Sequence, residues 1–227
     1  MKWDAAKVST KKVTLSEASS CATNASNDWT SILGDEFLSE GVYEVVLETV
    51  NVDNLSLFVG VASPKYWDFV GATEAEGDEP MPRNSVETIC MHGDGRLFIR
   101  TKEKDFGLMR MATDASVTMV LDFVQETVTF KLCRTVRGKV KETEAAIPGL
   151  FPRATVVVCL GGRDQSLVLA SCRRIESGED AKKVRDNFAE DALGGERVAP
   201  VQLEGTVVGG TYDEQVRAVA AMSEGSC

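Results

Sequence analysis

The amino-acid sequence predicts an all-β fold, specifically a two-sheet antiparallel β-sandwich. Two observations support this prediction. Short apolar runs, many with period-two alternation, recur along the first 172 residues, and turn-forming residues separate them. Helical periodicity is nearly absent before residue 175. Closely spaced strands without intervening helices favour an antiparallel sandwich over a parallel α/β sheet.

The clearest strands lie between residues 117 and 132. Two runs of alternating apolar side chains flank the polar turn 124–127. The alternating residues are Val117, Met119, Leu121 and Phe123 in the first run, and Val128, Phe130 and Leu132 in the second. Alternate side chains of a strand point to the same face, so each run predicts a half-buried strand of one hairpin.

The first 62 residues contain four further predicted strands. Each combines apolar or β-branched residues with turn residues at its ends. We expect strands over residues 12–15, 29–33, 41–50 and 55–62, with a turn at 51–54.

Residues 63–85 form the longest irregular region of the predicted sandwich. The segment contains Pro64, three aromatic residues and an acidic run at 74–79. We interpret it as a loop, and a loop of this length inside a compact domain is usually functional or disordered.

The remaining strands are predicted from turn signals and apolar runs. Residues 88–91 and 96–101 read as a hairpin across 92–95, where Asp94-Gly95 is a strong turn signal. Residues 155–160 and 166–172 are strands joined by a turn at 161–164. Residues from Cys133 to Glu144 are interpreted as a loop.

The character of the chain changes after residue 175. Residues 176–227 contain 11 acidic and 5 basic residues, so they carry six of the ten net negative charges. Residues 179–193 are the best helix candidate, and 212–222 is a shorter one. We therefore predict a sandwich over 1–175 and an acidic, partly helical or flexible tail over 176–227.

Composition excludes several classes of protein. A net charge of −10 argues against binding to nucleic acid or to anionic membranes. No apolar run reaches the length of a membrane-spanning helix, and the charged first residues do not resemble a secretory signal. Six scattered cysteines without a Cys-x-x-Cys pair are most simply reduced thiols. These features predict an intracellular, cytoplasmic protein.

Catalytic and metal sites find little support. The single histidine, His92, is explained by its hairpin turn, and one histidine without paired cysteines does not predict zinc. Residues 161–164 lack the Lys-Ser/Thr of a phosphate loop and read as a β-turn. Glu44 and Glu48 share a strand face that reads as solvated. We therefore expect no enzyme activity, no metal, no cofactor and no small-molecule ligand.

Seven short motifs of the chain resemble those of a known domain family. They occur in the order and at the spacing of the SPRY domain, a concanavalin A-like jelly roll of many scaffold and adaptor proteins. The matching segments are Trp29 and residues 13–16, 39–45, 58–62, 95–97, 120–130 and 148–152. The chain departs from the family pattern at Glu44-Val45, where the tryptophan is missing, and at Cys133-Arg134, where the usual Asn-Gly hairpin is missing.

The resemblance implies recognition of a protein or short peptide through loops at one end of the sandwich. Tyr66, Trp67 and Phe69, beside Lys65, are predicted aromatic anchors, although Trp67 and Phe69 could instead pack into the core. Loops near further residues complete the surface by analogy. These residues are Arg100, Lys102, Arg134, Arg163 and Asp164.

Two other functions stay open at this point. The chain could be a structural subunit that is buried in a large assembly, or a lectin-like carbohydrate-binding module, since lectins share the sandwich fold.

Overall fold

The computed structural model describes residues 1–8, 13–16, 18, 20–52, 56–75, 79–113 and 115–175. Within them, two seven-stranded antiparallel sheets pack face to face, which confirms the predicted β-sandwich. The predicted helix at 179–193 and the rest of the tail lie outside the described residues.

The first sheet has the strand order β1-β4-β13-β6-β7-β8-β9. Its strands are β1 (Trp3–Val8), β4 (Thr30–Gly34), β6 (Leu57–Ala62), β7 (Thr88–His92), β8 (Leu97–Ile99), β9 (Lys102–Lys104) and β13 (Thr155–Leu160).

The second sheet has the strand order β12-β11-β10-β5-β14-β3-β2. Its strands are β2 (Val13–Leu15), β3 (Cys21–Asn24), β5 (Val42–Asn51), β10 (Ser116–Asp122), β11 (Thr127–Val136), β12 (Lys139–Pro148) and β14 (Ser166–Ile175).

The core lies between the two sheets. Alternate residues of β5 and β10, such as Val45, Leu47 and Met119, point inward and are fully buried. The facing residues of the first sheet, such as Val59 and Val158, complete this cluster. Period-two alternation therefore predicted the inner face of the second sheet correctly.

The outer face of the first sheet is also covered, and this corrects the prediction of a loop over 63–85. Within that segment the chain forms helix α1 (Tyr66–Ala75) and a 3₁₀ turn (Pro82–Asn84). The helix packs on Leu33, Ala62 and Val157 of the sheet.

The region from Cys133 to Glu144 is not a loop, which is a second correction. It forms the second half of β11 and the first half of β12, joined by the two-residue turn Arg137-Gly138. β10 pairs with β11 only as far as Cys133. Residues 134–141 therefore project beyond the sheet as a two-stranded ribbon.

Because neighbouring strands run antiparallel, the connections between strands lie at two opposite ends of the sandwich. The ribbon end carries the connections 25–29, 93–96, 137–138 and 161–165. The corner end carries the connections 35–41, 63–65, 85–87, 100–101, 123–126 and 149–154.

The described cysteines are free thiols. Cys90 and Cys159 are fully buried on the outer face of the first sheet, where they pack with Phe58 and Phe98. Burial raises the pKa of Cys159 to about 12 and raises the pKa of Cys90 as well. Both therefore act as small apolar side chains in the protein interior.

Candidate functional site

The predicted site residues do not lie on one surface. Lys65 precedes α1, and Tyr66, Trp67 and Phe69 lie on it; Arg100 lies at the corner end, and Lys102 begins β9 beside it. Arg134, Arg163 and Asp164 lie toward the ribbon end.

Tyr66 is a core residue and not an exposed anchor. Its side chain is fully buried, and its hydroxyl bonds to Ser31, at 2.8 Å, and donates to the carbonyl oxygen of Pro80, at 3.2 Å. Burial raises the pKa of Tyr66 well above its usual value. Trp67 and Phe69 are half-buried against the same cluster, which matches the alternative that they pack inward.

The corner end contains a strained hairpin turn. Arg100 and Thr101 join β8 to β9 and both have positive φ, at 50° and 75°. Two-residue turns of this kind favour Asn-Gly because other residues resist positive φ, and a β-branched residue such as Thr101 resists it strongly. Strain of this kind persists where surrounding contacts hold it.

The contacts of Arg100 hold this turn in place. Its guanidinium donates to the carbonyl oxygen of Gly149, at 3.1 Å, and lies 5.1 Å from the ring centre of Phe151. Its backbone N–H donates to the carbonyl oxygen of Thr88. Gly149 in turn donates to the carbonyl oxygen of Glu126. Arg100 therefore joins three connections of the corner end into one rim.

The rim exposes apolar side chains. Val86 is 58% exposed and Val124 is 76% exposed, and each lies in a corner-end connection. Lys65 is exposed in the neighbouring connection 63–65. Its backbone N–H donates to the Ser63 hydroxyl, and that hydroxyl also bonds to Glu87, the residue after Val86. We call Lys65, Val86, Arg100, Thr101 and Val124 the corner rim.

Phe37 is a corner-end residue that the sequence reasoning missed. Its half-buried ring has the amine of Lys7 at 4.8 Å and the guanidinium of Arg153 at 5.3 Å from its centre. Cations over an aromatic face are attracted to the ring. The only signal in the sequence was a single aromatic residue in the polar run 34–41.

Arg163 and Asp164 form a tight turn at the ribbon end, as predicted for residues 161–164. Asp164 has φ of 61°, and its backbone N–H donates to the carbonyl oxygen of Asn24. Arg134 lies on the ribbon and donates to the carbonyl oxygen of Arg110, at 3.0 Å. Neither position can share a partner surface with the corner rim, because they face the opposite end.

His92 is the last residue of β7 and not a turn residue. It is buried, its ring lies 4.7 Å from that of Phe58, and Nδ1 lies 2.8 Å from Oδ1 of Asp94. Burial of Asp94 raises its pKa, but hydrogen bonds from Arg96 and His92 outweigh this and hold the pKa well below its usual value. The cluster fixes the hairpin between β7 and β8.

No group of three or more His, Cys, Asp or Glu side chains within the described ranges could hold a metal ion. In the same part of the chain, no helix combines the length and apolar character that crossing a membrane requires.

Comparisons with known proteins give a consistent result for the fold. The SPRY domain of human HERC1 is 15% identical, with a TM-score of 0.57 over 77% of this chain and 99% of that domain. The PSpry domain of TRIM65 is 12% identical, with a TM-score of 0.53 over 75% of this chain and 91% of that domain. No family model and no curated protein sequence matches. The chain therefore has a SPRY-like β-sandwich fold.

Proposed function

We propose that this chain is a non-catalytic recognition module that binds a protein or short peptide through the corner rim. The strained Arg100-Thr101 turn carries this proposal. Arginine and threonine are not the residues that a turn with positive φ favours. Strained residues of this kind cluster at functional sites. Exposed Val124 and Val86 provide apolar contact area on either side of it.

The chemistry of the rim suits a partner with an apolar anchor and an acidic group. Lys65 and Arg100 supply positive charge, and Val86 and Val124 supply apolar surface. Central apolar anchors surrounded by polar contacts are typical of protein interfaces. The aromatic residues of α1 are not part of the rim, since they pack on the outer face of the first sheet.

A matched pair of valine variants tests the proposal. Val124→Glu places a charge on the rim, and Val50→Glu places the same charge on an exposed valine of β5 near the ribbon end. The full chain and both variants are used to capture proteins from cell extract, and captured proteins are quantified by mass spectrometry. We expect a defined partner to be lost with Val124→Glu and retained with Val50→Glu.

Two other outcomes would reject the proposal. Equal capture by both variants would remove the rim from the interface. Stoichiometric recovery of many subunits with either variant would identify a structural subunit of an assembly instead.

A further inference from the structure

The ribbon carries a concentrated positive charge on a negatively charged protein. Residues 134–141 contain four basic residues and no acidic one, whereas the whole chain has a net charge of −10. Arg134, Arg137, Lys139 and Lys141 are called the ribbon patch. Arg137, Lys139 and Lys141 are exposed, and none of them has an ion-pair partner among the residues that the structure describes.

The charges of cross-strand partners differ between the sheet and the ribbon. Within the sheet, Lys131 lies opposite Glu144, and it forms an ion pair with Glu142, at 2.9 Å. Beyond the sheet, Arg134 lies directly opposite Lys141, so two basic residues are cross-strand neighbours. Like charges in this position destabilise a strand pair. The ribbon therefore carries a local electrostatic cost that an anionic ligand would remove.

The ribbon also offers a free strand edge. β12 is the last strand of its sheet, and no strand in the described part of the chain pairs with its outer edge. Unpaired N–H and C=O groups of an edge strand can pair with an added peptide strand. Exposed Val140, between Lys139 and Lys141, gives such a strand an apolar contact.

The spacing of the charges matches an extended peptide. Lys139 and Lys141 share one face of β12, because alternate residues of a strand do. Their Cα atoms are about 7 Å apart, which is also the spacing of alternate residues in an added strand. Carboxylates at every second position of the peptide would therefore meet both lysines.

We propose that the ribbon patch and the free edge of β12 bind an extended acidic peptide segment by strand addition. This second surface does not depend on the corner rim. It lies at the opposite end of β11, about 30 Å away along the strand. A peptide is favoured over nucleic acid because the free edge matches a peptide backbone and residues 134–141 contain no aromatic side chain for base stacking.

Fluorescence anisotropy with the full chain tests the proposal. The probe is a labelled peptide of about ten residues that alternates glutamate and valine. A second peptide alternates glutamate and proline, which keeps the charge but cannot pair as a strand. We expect the valine peptide to bind and the proline peptide to bind at least about tenfold more weakly.

Paired charge reversals locate the site. Lys139→Glu with Lys141→Glu should weaken binding of the valine peptide by about tenfold or more. Lys2→Glu with Arg83→Glu makes the same charge change at two exposed basic residues toward the corner end and should change it less than about twofold. Bound peptide should also slow amide hydrogen exchange in residues 139–143. Circular dichroism and the urea midpoint check that both variants are folded.

Several results would overturn the proposal. Equal affinity for the valine and proline peptides would show attraction by charge alone. Equal loss in both pairs of variants would show that net charge and not the ribbon decides binding. Tighter, ribbon-dependent binding of a DNA duplex of about 20 base pairs would assign the patch to nucleic acid. Absence of binding to any probe would reject the site.

Discussion

The hydroxyl oxygen of Tyr66 lies 2.8 Å from that of Ser31, and this hydrogen bond joins α1 to strand β4 beneath it. Both side chains are buried, and both hydroxyls also contact the carbonyl oxygen of Pro80. A residue that the sequence presented as a binding anchor therefore holds the helix on the sheet.

Replacing Tyr66 by phenylalanine should destabilise the protein by about 1–2 kcal/mol, because the buried Ser31 and Pro80 groups lose a partner. Tyr43→Phe is the matched control, since the structure gives the hydroxyl of that half-buried tyrosine no hydrogen bond among the described residues. Urea unfolding should show a change below about 0.5 kcal/mol for the control. Equal effects of the two changes would contradict this role of Tyr66.

Gly60 and Gly71 should respond oppositely to alanine. A Cβ at Gly60 would lie 2.2 Å from the carbonyl oxygen of Ile89 and 2.6 Å from Cα of Cys90, so the backbones of β6 and β7 would have to separate. We expect a loss of about 3 kcal/mol or more. A Cβ at Gly71 of α1 meets nothing within 4 Å, so alanine there should stabilise by about 0.5–1 kcal/mol. Thermal unfolding of the two variants measures both signs.

Thr101→Gly should stabilise the protein by about 0.5–1 kcal/mol, because glycine adopts positive φ without the strain that threonine has there. Thr135→Gly is the control, since Thr135 is also exposed but lies in the regular strand β11. That change should destabilise by about 1 kcal/mol. Chemical unfolding that shows both variants destabilised would indicate that the turn at Thr101 is not strained.

Asp94→Asn should destabilise the folded state at neutral pH by about 1–2 kcal/mol, through lost bonds to Arg96 and His92. The folded pKa of Asp94 lies below that of the unfolded chain, which is about 3.9. Its stabilising effect is therefore fully present well above pH 4 and is lost as pH falls toward the folded pKa. Urea titrations should show a constant deficit above about pH 5 that shrinks below about pH 4. A deficit independent of pH would refute this assignment.

Strands with alternating or continuously apolar side chains could be predicted from the sequence. Burial of one face of a strand requires an apolar residue at every second position, and burial of both faces requires a continuous apolar run. Helix α1 shows little apolar periodicity in the sequence, because it buries only Tyr66 and Val70, a single pair at helical spacing. Its start was nevertheless marked by Ser63-Pro64. The Ser63 hydroxyl accepts a hydrogen bond from the N–H of Lys65, and Pro64 suits a first turn.

The candidate site could be predicted only in part, because the end on which a loop lies depends on strand direction. Lys65 follows β6, and Arg163 follows β13. These strands are antiparallel neighbours, so the residues that follow them lie at opposite ends. Nothing in either loop shows this without the pairing. The ribbon was missed for a different reason, since its charges concealed the β-branched residues Thr135, Val136 and Val140.

Helix α1 covers part of the outer face of the first sheet, and the cluster around Phe58 covers more of it. Every residue of β6 and of β13 is buried, whereas burial along much of β5 alternates. In saturation mutagenesis, polar substitutions along β6 and β13 should be harmful at consecutive positions. Along β5 they should be harmful at every second position between Tyr43 and Thr49. Surface engineering of this protein should therefore begin from the second sheet, where alternate side chains are free to vary.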